Sequence, residues 1–124
     1  MSSNEVLQGL KVRITIDEDG TPNPPKLPDG TIVRSLVGKD NQTYHMVRLD
    51  HPVISIRVET GMEWTLEDLV ITPHFKGVSM ETIRSHKDFV HLAIANVLRR
   101  VEPDDPILDF SKVAYFALGT IRRS

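Results

Sequence analysis

Leu10, Val12, Ile14 and Ile16 alternate with Lys11, Arg13, Thr15 and Asp17. A period of two carries every second side chain to the same face, so this stretch predicts a strand with one apolar and one wet side. Residues 32–37 and 44–49 are two apolar segments on either side of Gly38-Lys39-Asp40-Asn41-Gln42, a turn signal of hairpin length, and predict an antiparallel hairpin. In the second arm Val47 and Leu49 point one way and Tyr44, Met46 and Arg48 the other, whereas the first arm is apolar on both faces. After Asp50-His51-Pro52, residues 53–59 alternate again, which places Ile54, Ile56 and Val58 inward and Ser55, Arg57 and Glu59 outward on a further antiparallel strand. Residues 18–30, with Asp19-Gly20, Pro22, Pro24, Pro25, Pro28 and Asp29-Gly30, read as a stiff extended loop.

Past Thr60-Gly61 the alternation fades. Leu69, Val70 and Ile71 before Pro73 predict a short strand over 69–72. At 100° per residue Ile83, Val90, Ile94, Val97 and Val101 then fall within about 60° of arc, with Met80 and Leu98 beside them, which predicts an amphipathic helix. Ser79 would cap such a helix at Met80, or Ser85-His86-Lys87-Asp88 would open it at His86; Arg99 and Arg100 suit its C-terminal end, and Pro103 and Pro106 stop it. Phe89 and Leu92 fall off this stripe, onto a face made of Ser85, Asp88, Asn96 and Arg99. Residues 107–121 fit either a strand over 113–118, favoured by Tyr115 and Phe116, or a short helix capped by Ser111.

The economical assembly of these elements is α+β: a small bent antiparallel sheet or SH3-like barrel of four to five strands with one amphipathic helix packed on it. With 124 residues and 40% hydrophobic composition, residues 1–124 suit a single domain, with 1–8 and 122–124 expected to fray. The net charge of −2 sets up no field over the whole molecule, so any basic role is regional. The absence of cysteine removes disulfides, thiol catalysis and thiolate metal sites. A polar start without signal-peptide layout, and no apolar run near the roughly 20 residues of a membrane span, complete the expectation of a cytoplasmic protein without a membrane partner.

Arg13, Arg34, Arg48 and Arg57 each sit mid-strand on the expected solvent side, with Tyr44 near Arg48. A cationic row with a flat ring among it is what single-stranded nucleic acid requires, phosphates taking arginine and bases taking a π surface. The plainer reading is a set of exposed ion pairs with neighbours such as Asp17, Asp50 and Glu59. His86 and His91, five apart, stand about 140° around a helix and do not make a metal pair; His45, His51 and His74 meet only if the fold brings them together. Glu59, Glu63, Glu67 and Asp68 surround Trp64, an arrangement that suits sugar binding but also a turn beside a core anchor. Ser35, Ser55, Ser79, Ser85 and Ser111 lack the Gly-x-Ser-x-Gly setting, and the glycines are scattered singly, which speaks against nucleotide-dependent chemistry. No metal and no cofactor is expected.

The functional expectation is therefore a non-catalytic interaction module that binds a protein partner or itself as a homodimer through the helix face bearing Phe89 and Leu92. Nucleic-acid binding by the arginine face is the alternative, and a hydrolase using histidine and carboxylate the third.

Overall fold

The structure, a computed structural model, describes residues 7–17, 26–56, 61–74, 80, 90–99, 101–102 and 107–124. Strands make up most of them: β1 (Lys11–Ile16), β2 (Gly30–Gly38), β3 (Thr43–Ile56), β4 (Glu63–Pro73), β5 (Val90–Val97), β6 (Ile107–Leu108) and β7 (Val113–Arg123), with a 3-10 turn at Phe110–Lys112 capped by the Asp109 side chain.

The seven strands form one sheet in the order β1-β7-β5-β4-β3-β2-β6, and β1 also pairs with β2 through Lys11↔Thr31 and Val12↔Gly30. That last pairing closes β1, β2, β3, β4, β5 and β7 into a ring in which every neighbour is antiparallel. Apart from β6, ring neighbours follow one another in the chain, an up-and-down arrangement whose even strand number lets the alternation close. β6 stands apart, parallel to Val37 and Gly38 at the far end of β2.

Alternation fills the ring. Val12, Ile14 and Ile16 of β1, Val47 and Leu49 of β3, Leu69 and Ile71 of β4, and Leu92 and Ile94 of β5 all belong to one buried cluster. Gly119 lets β7 lie tightly against β1: a Cβ there would overlap the Thr15 carbonyl oxygen and the Ile94 Cδ1. A second, smaller cluster of Leu36, Met46, Val70, Val101 and Leu108 forms on the opposite side of the sheet wall. Met46 and Val70 face away from their inward neighbours Val47 and Leu69, so Val101 and Leu108 reach them from outside.

The α+β expectation is overturned, and with it the four- to five-strand SH3-like barrel carrying a helix. Residues 90–97 are a strand between β4 and β7, with Val90, Leu92 and Ile94 buried and His91, Ala93 and Ala95 more open. Val90 and Ile94, four apart, satisfy both periods, whereas Val97 fits the helical period alone; Leu92, off the helical stripe, is in phase with Val90 and Ile94 only as a strand. The expected helix starts at Ser79 and Ser85 to Asp88, and Ile83, Phe89 and Arg100, lie outside the described residues. In 107–121 the strand alternative holds and runs on to Arg123. Arg122 and Arg123 pair with β1, and the Ser124 N–H donates to the Lys11 carbonyl at 3.0 Å, where the sequence pattern suggests a loose end.

A further correction concerns β3. The strand does not stop at Asp50-His51-Pro52 but continues to Ile56, with its pairing to β4 slipping between Arg48 and Val53. Odd positions therefore stay inward, so Ser55 is buried while Ile54 and Ile56 are 60% and 65% exposed, the reverse of the expected facing.

Candidate binding groove

β5 accompanies β4 only from the Leu69↔Asn96 pair onward, although β4 itself begins at Glu63. After Val97 the chain leaves the ladder and runs outside the sheet, where Val101 packs on Met46 and Val70, and the Arg34 Nη1 donates to the Glu102 carbonyl at 2.7 Å. Between this strap and the start of β4 lies a groove of 750 Å³. Its size falls within the roughly 300–1,000 Å³ of ordinary ligand sites.

Met46, Val97, Leu98 and Val101 supply its apolar lining. The charges are segregated: Arg34, Arg48 and Arg99 come from β2, β3 and the strap, whereas Glu63, Glu67 and Asp68 all come from β4. Arg48 donates from Nε to Asp68 Oδ1 at 2.9 Å, and that carboxylate holds the guanidinium above its ordinary value. Asn96 also lines the groove, and its buried Oδ1 has no hydrogen-bond partner among the described residues. Trp64 turns partly toward the main core, its ring 5.8 Å from that of Phe116.

The expected arginine row is largely occupied by carboxylates. Arg13 bonds Asp29 at 3.1 Å, and Ser124 donates to the same carboxylate at 2.6 Å; the Ser124 and then the Arg13 hydrogen bond hold Asp29 below the usual carboxylate range. Asp50, expected as an arginine partner, pairs with Lys11 at 2.5 Å instead. Tyr44 does not present an open ring: its hydroxyl donates to Asp40 at 2.5 Å, Phe110 meets it edge-on at 5.6 Å, and burial together with Asp40 pushes its phenol upward. The groove thus gathers Arg34 and Arg48 with Arg99, and leaves Arg13 and Tyr44 elsewhere. Arg57 and Phe89 lie outside the described residues, and Leu92 is fully buried in the ring.

Among the described residues the histidines form no cluster with carboxylates. His45 points into the ring with its Nδ1 2.6 Å from Ser35 Oγ, and burial pulls its pKa down to about 4. At 4% and 9% exposure this histidine and serine are walled off from solvent. His51 is exposed, with its ring 3.3 Å from the Pro52 carbonyl, and the His74 N–H donates to the His91 carbonyl across β4 and β5 at 2.7 Å. Among the described residues no three or more histidine and carboxylate side chains are grouped to hold a metal ion. Nor is any described helix long and apolar enough to cross a membrane.

Sequence reasoning singles out Arg34, Arg48, Trp64 and the β4 carboxylates, but not Met46, Leu98 or Arg99 as parts of one surface. Leu98 directly after Val97 is the available signal, since two adjacent apolar residues cannot share one face of a strand. Comparison of the chain with protein-family models, curated proteins and solved structures finds no match.

Proposed function

We propose that this protein is a binding module for a protein segment, without chemistry of its own, and that the groove between β4 and the strap is the binding surface. One observation carries the reading: a partly apolar hollow lined by residues of both charges, with Leu98 and Met62 in its lining 57% and 59% exposed. Large side chains clustered in the open beside a hollow are the common mark of a recognition surface. The orphan Oδ1 of Asn96 supports the same reading, since an incoming N–H donor would satisfy an acceptor that otherwise carries a desolvation penalty.

The arginine face draws less support as a nucleic-acid site. Arg13 and Arg48 are engaged by Asp29 and Asp68, and Tyr44 is engaged by Asp40 and Phe110. A phosphate would have to displace those carboxylates before it gained anything.

Selection from a random peptide library displayed on phage tests the groove. Recovered peptides should bind the wild-type protein and lose about tenfold or more in affinity against Leu98→Glu, which places a charge in the hollow. Peptides that bind both proteins equally, or none recovered, would contradict the proposal.

A further inference from the structure

We infer that the groove's partner is a second copy of this chain, docked about a two-fold axis. The inference rests on the reading of the groove as a protein-binding surface and names its occupant. The groove lining holds three arginines and three carboxylates; Arg48 and Asp68 pair with each other at 2.9 Å, which leaves Arg99 on the strap and Glu63 and Glu67 on β4 to meet a partner. A partner of one charge would meet as much repulsion as attraction on such a surface. A half-turn rotation instead brings the β4 glutamates of one copy against Arg99 of the other, and the same contact forms twice.

The apolar relief fits the same operation. Ile54 and Ile56 lie exposed on the outer face of β3 opposite Thr65 and Glu63 of β4, an apolar ridge beside the groove and outside its lining. Arg48 and Met46 continue that outer face of β3 into the groove, so ridge and hollow belong to one surface. With the two-fold axis between them, the ridge of each copy enters the hollow of the other. Of the groove charges, Arg99, Glu63 and Glu67 are exposed, and no ion pair within the chain engages them among the described residues. They are the natural cross-partners.

Sedimentation of the whole chain from about 1 µM to about 1 mM, with two charge reversals, tests this. Wild type should pass from monomer to dimer as concentration rises. Arg99→Glu alone and Glu63→Arg alone should each weaken association about tenfold or more, because each sets like charges together twice. An equimolar mixture of the two variants should recover it. In the mixed dimer the two reversed side chains meet at one contact and the unaltered Arg99 and Glu63 meet at the other, so opposite charges face each other at both. Far-UV circular dichroism of each variant keeps loss of folding apart from loss of association, and recovery on mixing requires folded chains. Wild type that stays monomeric to the top of the range overturns the inference while leaving peptide capture by the groove intact. A dimer indifferent to both reversals, or no recovery on mixing, overturns it equally.

Discussion

His45 shows how one residue's burial becomes a property of the protein. Its imidazole is enclosed in the ring against Ser35, and burial lowers its pKa from 6.5 to about 4. Above pH 6.5 the ring is neutral in folded and unfolded chains alike, so it adds no pH dependence there. Between pH 6.5 and about 4 the unfolded chain takes up a proton that the folded chain refuses, so stability falls as pH falls, by roughly 3 kcal/mol over the window. Below about pH 4 both states carry the proton and this loss is complete. Urea unfolding at several pH values between about 7 and 4 measures it; His45→Gln should flatten the slope in that window, and an unchanged slope would assign the effect to other groups.

At the scale of elements, β5 decides the fold. Leu92 is sealed in the core of the ring, so Leu92→Ala should lower unfolding free energy by about 2–5 kcal/mol, read from a denaturant midpoint. A helix-surface leucine would lose far less. β1 is legible in the sequence because it alternates against a single apolar interior, and the β2–β3 hairpin because two apolar segments flank an unambiguous turn at residues 38–42; Leu36 and Met46, which feed the second cluster, are why β2 shows apolar residues on both faces. Val90 and Ile94 mislead because a spacing of four suits a helix as well as a strand, Val97 because it packs on the second cluster yet completes the helical stripe, and Leu92, an anomaly on the helical wheel, is the discriminating residue. β4 reads shorter than it is because Leu66 and Leu69 both face inward, with a phase slip at Glu67 and Asp68 that hides the alternation. Pro52 suggests the end of a strand, yet it sits in the irregular stretch of β3 between Arg48 and Val53, where a missing N–H breaks no ladder bond to β4. That misplaced break inverts Ile54 and Ile56 and conceals the exposed ridge. The groove is legible only as parts, since its existence depends on where the chain goes after Val97, which no local pattern encodes.

The whole molecule is a closed antiparallel ring with a strap laid across its outside. Closure leaves the ring few open ladder edges, the feature that most often drives strands to aggregate. It also fixes where the binding surface can be. β4 outruns β5, the strap departs at Val97, and the hollow opens between them. Every functional conclusion therefore depends on β5 lying between β4 and β7. Nuclear Overhauser contacts in the isotope-labelled protein test that placement most directly. Ile94 should show cross-strand contacts to both Ile71 and Ala117, and Ile14 to Ile121, as the antiparallel registers require. Sequential i to i+3 contacts through residues 90–97, without those cross-strand contacts, would contradict the ring and the groove built on it.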